Sequence, residues 1–263
     1  MTNYKALFLD IDGTVLRPDD VIEDSTKSAV KQVQQAGIEV VLATGRPLHE
    51  VKEIAEQLNV KSFIGYNGAY GIYDEKIIVN ETMNPSTIER FVEIAKENGH
   101  EMVLYTNAKN VFTNINAPNT ELFIKKFHLR YNESFTPAII DKILGVTLIN
   151  LSEHDPALYN SEDDNFYFSQ VNVDGLRNCY DAIQTNVNKG FAVKIMLDLL
   201  EIDPNQAIAF GDGMNDKEML QSVGEGFAMG NASPNLFAYA KHKTTDVTNS
   251  GIYNGLKSIG LVK

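Results

Sequence analysis

The chain has 263 residues, enough for one large domain or two moderate ones, with 43% hydrophobic and 22% charged residues in ordinary globular proportion. A formal charge of −12, with no basic run to offset it, argues against nucleic acid or an anionic membrane as partner, while a small anionic ligand in a pocket with its own local field stays open. The single cysteine, Cys179, excludes an internal disulfide framework, suits a reducing compartment, and without a Cys or His partner nearby reads as a small semi-buried residue rather than a nucleophile.

In chain order, Met1-Thr2-Asn3-Tyr4-Lys5 leads into Ala6-Leu7-Phe8-Leu9, an apolar run closed by Asp10. The run is too short for a signal-peptide core and no stretch approaches a membrane span, so a cytoplasmic protein with no membrane partner is expected. Four consecutive apolar residues suit a strand buried on both faces. Ser25–Ala36 has helical spacing (Ala29, Val30, Val33, Ala36) and ends at Gly37. Ile38–Ala43 is a second strand, Pro47–Leu58 a helix with proline at its first position, and Ser62–Gly65 a third strand. The middle reads differently. Pro85–Asn98 is an amphipathic helix closed by Gly99, and Met102–Thr106, Val111–Thr113, Ile143–Leu151 and Phe166–Val173 are strand-like, with an acidic loop over Ser152–Asn165. The first grammar then returns, as helix Gly190–Leu200, strand Ala207–Phe210, helix Asn215–Val223, strand Gly226–Met229 and helix Ser233–Ala240. The pattern predicts an α/β fold, a doubly wound and mostly parallel Rossmann-like sheet over residues 1–81 and 188–263, with an α+β domain inserted over 82–187.

Four constellations carry chemistry. Asp10-Ile11-Asp12-Gly13-Thr14 follows the first strand, where an open α/β sheet binds its ligands. Two carboxylates at i and i+2 around a sharp turn can divide labour, one attacking or binding metal and the other moving protons. An isolated Asp-x-Asp-Gly is as often an acidic turn. Ala43-Thr44-Gly45-Arg46 offers a hydroxyl and backbone N–H groups at a helix start, either an anion seat or a plain cap. Lys189, in Asn188-Lys189-Gly190, opens the returning half of the sheet domain, although a lone lysine is usually solvated. Phe210-Gly211-Asp212-Gly213-Met214-Asn215-Asp216 places two carboxylates at a strand-to-helix turn, the oxygen donors Mg²⁺ takes, though Asp216 can equally be a helix cap. Tyr66 and Asn67 either touch substrate or form a simple turn. The five histidines, His49, His100, His128, His154 and His242, lack zinc-ligand spacing.

Taken together, these segments resemble the haloacid-dehalogenase superfamily, and within it the Cof-type, type IIB sugar-phosphatase-like group. Asp10–Thr14, Thr44–Arg46, Lys189-Gly190 and Gly211–Asp216 match its four motifs, and Gly65–Ala69, Glu218–Leu220 and Ala228–Ala232 resemble accompanying stretches. The insertion stands where that group carries its type-2 cap. The resemblance implies a magnesium-dependent phosphatase of small phosphorylated metabolites such as sugar, nucleotide or cofactor phosphates. In it Asp10 is the nucleophile that becomes an aspartyl-phosphate, and Asp12 the general acid and base. Thr44, Gly45, Lys189 and Asn215 hold the phosphoryl oxygens, with Arg46 and Asn67 as further substrate contacts. Asp10, Asp12 (through its carbonyl), Asp212 and Asp216 form the metal shell. Charge supports the metal, because four carboxylates and a phosphate cannot be crowded together without cations. A phosphomutase or other phosphotransferase of the same superfamily and a non-catalytic phosphate-ligand sensor are the alternatives. A monomer or weak homo-oligomer is expected.

Overall fold

The computed structural model describes residues 4–160, 166–171 and 173–263. Their contacts form two units, the first comprising the residues up to Gly45 with Val51–Val79 and Asn188–Lys263, the second Arg46–Glu50 with Asn80–Val187. The first unit begins with β1 (Ala6–Leu9), α1 (Asp24–Gln35), β2 (Glu39–Ala43), α2 (Lys52–Leu58), β3 (Ser62–Gly65), β4 (Tyr70–Tyr73) and β5 (Lys76–Asn80). The second unit holds α3 (Pro85–Asn98), β6 (Glu101–Tyr105), β7 (Asn110–Phe112), α4 (Pro118–Phe127), β8 (Asn132–Ser134), β9 (Gly145–Ile149), β10 (Phe166–Gln170) and β11 (Tyr180–Gln184). The first unit then resumes with α5 (Lys189–Leu199), β12 (Ala207–Gly211), α6 (Lys217–Gln221), β13 (Glu225–Ala228), β14 (His242–Lys243) and α7 (Gly251–Ser258).

Among the described residues, the first unit's sheet runs in the order β14-β13-β12-β1-β2-β3-β4-β5. It is parallel from β14 to β3 and turns antiparallel at β4. β1 lies between β12 and β2, with Ala6 opposite both Ala207 and Glu39, which is why its four residues are apolar throughout and fully buried. Ala6 and Phe8 share one core cluster with Ala192, Val193 and Met196 of α5. Leu7 and Leu9 alternate to the opposite face, and α1 and α7 pack against each other. Cys179, expected to be semi-buried, is fully buried, and burial pushes its thiol up to about 12.

The second unit's sheet is ordered β10-β11-β9-β6-β7-β8 and is antiparallel except for the β7/β8 pair. Helix α3 starts as its sequence dictates, with Pro85 at the first position, Asn84 Oδ1 accepting from Ser86 N at 3.0 Å, and Gly99 in the left-handed conformation at its end. Its buried face, Ile88, Phe91 and Ala95, packs on Met102, Leu104, Val146 and Leu148. Of the acidic loop expected over Ser152–Asn165, Asp155–Tyr159 forms a 3-10 turn, fixed by the Tyr159 hydroxyl 2.9 Å from His100 Nδ1, and residues 161–165 lie outside the described residues. The strand expected over Phe166–Val173 stops at Gln170, and residue 172 is likewise outside them.

The expected helix from Pro47 to Leu58 is corrected by the structure. Leu48–Glu50 forms a 3-10 turn, and the α-helix starts only at Lys52. Tertiary hydrogen bonds outweigh the helical pattern here, because Arg46–Glu50 packs within the second unit. The Glu50 carboxylate accepts from Asn110 Nδ2 at 2.9 Å and from the Arg130 N–H at 2.8 Å. His49 Nε2 lies 3.2 Å from Asn110 Oδ1. Burial lowers the His49 imidazole's pKa, against the pull of Glu50, so a neutral ring protonated at Nε2 serves this contact. Asn110 is fully buried, and Asn110→Ala would strip partners from the largely buried Glu50 carboxylate and the partly buried His49 imidazole at once. It is expected to cost about 2–3 kcal/mol in urea unfolding. A loss within roughly 0.5 kcal/mol would mean that water satisfies these groups.

Candidate active site

β1 is where the chain reverses direction across the sheet, passing to β2 on one side and, later in sequence, from β12 to β13 on the other. A crevice opens at the carboxyl ends of such neighbouring strands. Asp10 leaves β1 with its N–H still donating to Phe210 O at 3.0 Å, so it stands beside the end of β12, from which Asp212 emerges. Gly13 clinches this meeting of the first and fourth motifs. Its φ is +84°, and a Cβ there would lie 2.3 Å from Asp212 Oδ2. Thr14 Oγ1 donates to Asp212 Oδ1 at 3.3 Å.

Lys189 is fully buried, contrary to the solvated alternative. The Asn188 side chain caps α5 by accepting from Phe191 N at 3.0 Å, and α5 packs on α6, so the first residue of the helix is held inside the unit. Its Nζ donates to Asp10 Oδ1 and to Asp216 Oδ1, both at 2.6 Å. The two alternatives for Asp216, cap or site residue, meet in one side chain. Its Oδ2 accepts from the N–H groups of Asp212 (3.0 Å) and Gly213 (2.9 Å), which rigidly orients Oδ1 toward the lysine. The helix expected over Asn215–Val223 is accordingly split into a 3-10 turn, Met214–Asp216, and a short α6. The segment Ser233–Ala240 likewise yields only a 3-10 turn, Pro234–Ala238, stopped after one turn where Tyr239 N donates to Leu236 O.

Carboxylate oxygens of Asp10, Asp212 and Asp216, all buried, lie within 4.8 Å of one another. Burial first, and then the Asp216 charge, push the Asp10 carboxyl up to about 7, with Lys189 pulling the other way. Asp212 is raised well above the usual carboxylate range, again chiefly by burial and then by Asp10. Burial alone would lower the Lys189 ammonium, but Asp10 and Asp216 outweigh it and hold it above its ordinary value. One ammonium therefore does not neutralise three crowded carboxylates. A hard divalent cation with a taste for carboxylate oxygen fits both the donor set and the missing charge, which is the chemistry of Mg²⁺. The Asp12 carboxylate is not part of this cluster.

Thr44 is buried, with its N–H donating to Ile64 O at 2.8 Å, and its carbonyl accepts from Asn67 N at 3.1 Å. Asn215 Nδ2 donates to Asn67 Oδ1 at 2.9 Å. The groups expected to seat phosphoryl oxygens therefore share one unit with the carboxylates. Arg46 does not, as it falls in the second unit with its guanidinium 5.8 Å from the Phe127 ring centre. A contributor missed at the level of residue roles is Asn231, whose Nδ2 donates to Gly13 O at 2.8 Å and reaches Asp212 Oδ2 at 3.4 Å. Its only signal was membership of the Ala228–Ala232 stretch, since a lone asparagine has no spacing to betray it.

A family model described as haloacid dehalogenase-like hydrolase matches residues 7–256. A Bacillus subtilis protein provisionally named a phosphatase, YkrA, is 30% identical over 98% of this chain and 99% of its own. An HMP-PP phosphatase of Citrobacter koseri is 25% identical over 89% of this chain and 86% of its own. Among solved structures, the subclass IIB sugar phosphatase BT4131 superposes with a TM-score of 0.88 at 21% identity, covering 98% of this chain and all of the other. At that identity the likeness concerns the fold, a Rossmann-like core with an inserted unit.

Proposed function

This chain belongs to the haloacid dehalogenase-like hydrolases, and we propose that it is a Mg²⁺-dependent phosphatase that cleaves small phosphomonoesters through an aspartyl-phosphate on Asp10. The observation that carries this function is the buried Lys189, bonded to both Asp10 and Asp216 at 2.6 Å beside Asp212. Solvated acidic turns have no reason to assemble so costly a charge cluster away from water, whereas phosphoryl transfer needs one. The Asp10 carboxylate attacks phosphorus as the bond to the leaving oxygen breaks, and Asp12 delivers the proton that the departing alkoxide takes up. Asp12 then removes a proton from the water that cleaves the acyl phosphate, regenerating Asp10. Thr44, the Gly45 N–H, Lys189 and Asn215 hold the phosphoryl oxygens. The Asp10 and Asp212 carboxylates and the Asp12 carbonyl, with Asp216 alongside, would hold Mg²⁺, which when bound would supply the positive charge that keeps Asp10 ionised and offsets the phosphate.

The relatives named HMP-PP phosphatase and sugar phosphatase support small phosphorylated metabolites as the substrate class, and sugar, nucleotide and cofactor phosphates form the panel to be assayed. The inserted α+β unit is the part we assign to substrate selection. Phosphate release from such a panel is expected to stop with excess chelator and to return with Mg²⁺. Ca²⁺ should restore it poorly, because its looser coordination misplaces Asp10. Full turnover in excess chelator would remove the metal from the mechanism. Dependence of phosphate release on a sugar bisphosphate would move the enzyme to the mutases.

A further inference from the structure

Asn67 stands in the loop between β3 and β4 with left-handed backbone angles, φ 53° and ψ 33°, and is largely buried. The sequence left it either as a substrate contact or as an ordinary turn residue. It lies in the 3-10 turn Tyr66–Gly68, and its hydrogen bonds tie that turn to the neighbouring motifs. The side-chain Oδ1 accepts from Asn215 Nδ2 at 2.9 Å, and the backbone N–H donates to Thr44 O at 3.1 Å. Gly45 lies against the same amide, and a Cβ on it would fall 3.0 Å from Asn67 Oδ1 and 3.1 Å from Nδ2. One residue thus touches Thr44, Gly45 and Asn215, three of the four groups assigned above to the phosphoryl oxygens. Asn215 is a primary amide with two N–H bonds and a side chain that can turn end for end. The Asn67 acceptor holds one N–H and thereby fixes which end of the amide is presented, leaving the second N–H to donate.

We infer that Asn67 is a positioning residue, which orients the Asn215 amide and the Thr44-Gly45 turn toward the phosphoryl group and does not touch the substrate's leaving group. The inference rests on the phosphatase function proposed above. The left-handed backbone explains why asparagine suits this position, since asparagine tolerates that conformation better than most residues and also brings the required acceptor.

The test uses the full chain with Mg²⁺ and three probes, an aryl phosphate, a sugar phosphate and a nucleotide phosphate, together with inorganic phosphate as competitive inhibitor. Asn67→Gly keeps the backbone conformation and removes the acceptor. It should lower kcat/KM by about tenfold, by one common factor on all three substrates, and weaken inorganic phosphate by a similar factor. Added to Asn215→Ala it should cost nothing more, because the amide it orients is gone. Gly45→Ala pushes on Asn67 from the other side and should show the same common-factor loss. The Gly45→Ala/Asn67→Gly double variant, where no side chain remains to be struck, should lose no more than Asn67→Gly alone. Gly45→Ala also keeps the question answerable if Asn67→Gly does not fold. Losses that differ between leaving groups would make Asn67 a substrate contact, and full additivity with Asn215→Ala would break the proposed linkage. Unchanged kinetics in Asn67→Gly would end the proposal. Inactivity of the wild type on all three substrates would instead refute the phosphatase function itself.

Discussion

Asp10→Asn is expected to abolish turnover on every phosphomonoester, a loss of roughly 10⁴-fold or more, and yet to stabilise the chelated protein above neutral pH. The first effect follows from losing the proposed nucleophile. The second follows from the cost of keeping this carboxylate charged. Burial and the Asp216 charge raise the Asp10 carboxyl from 3.8 to about 7, so folding takes up a proton at this residue. The stability linked to that proton is present in full below about pH 4 and is lost as pH rises through about 7. An asparagine never acquires the charge, while its Oδ1 can still accept from Lys189, which keeps Asp216 as ionic partner. With a chelator present, the wild type should therefore lose melting temperature between about pH 4 and pH 7 more steeply than the variant. At pH 8 the variant should melt higher, by roughly several degrees if the relief is on the order of 2 kcal/mol. Added Mg²⁺ should restore the wild type far more than the variant. Parallel pH profiles in the two proteins would mean that the Asp10 charge is already relieved without metal. A site that trades stability for chemistry in this way is a common feature of enzymes.

Much of this was legible in the sequence because the relevant signals are local. An apolar tetrad closed by Asp10, and another run closed by Gly211-Asp212, are strand ends wherever they occur, and the parallel sheet explains both. Lys189 marks the limit. Its burial depends on Asp10, 179 residues away, and on Asp216, 27 residues away, and no spacing rule links such partners. Pro47–Leu58 failed for the same kind of reason, since helical periodicity says nothing of the pull that Asn110 and Arg130 exert on Glu50. α7 went unread because Gly251-Ile252-Tyr253-Asn254-Gly255 has poor helix propensity, and packing of its buried Ile252 and Leu256 decides the matter. Residues 70–80 give β4 and β5, which extend the sheet past its parallel part, from a stretch whose short runs carry little periodicity.

Asp12→Asn should behave quite differently from Asp10→Asn, and the difference depends on the leaving group. The Asp12 carboxylate stays out of the cluster formed by Asp10, Asp212 and Asp216, so replacing it leaves the nucleophile, the lysine and the side-chain metal donors in place. What it removes, in the proposed mechanism, is proton transfer, worth roughly 10²–10⁴-fold. An aryl phosphate has a leaving group that departs without much protonation, so Asp10 should still be phosphorylated by it. The acyl phosphate then waits for a water that no base activates. Rapid mixing of the variant with an aryl phosphate and Mg²⁺ should therefore release a burst of phenolate, about one per active site, followed by a stalled phosphoenzyme detectable as an acyl phosphate on Asp10. An alkyl phosphate, whose alkoxide leaves poorly without a proton, should give neither burst nor phosphoenzyme. The wild type should turn over both, so the contrast isolates the acid in the first step from the base in the second. Equal losses on aryl and alkyl substrates, with no trapped phosphate, would reduce Asp12 to a backbone donor in the metal shell and leave the proton transfers to another group.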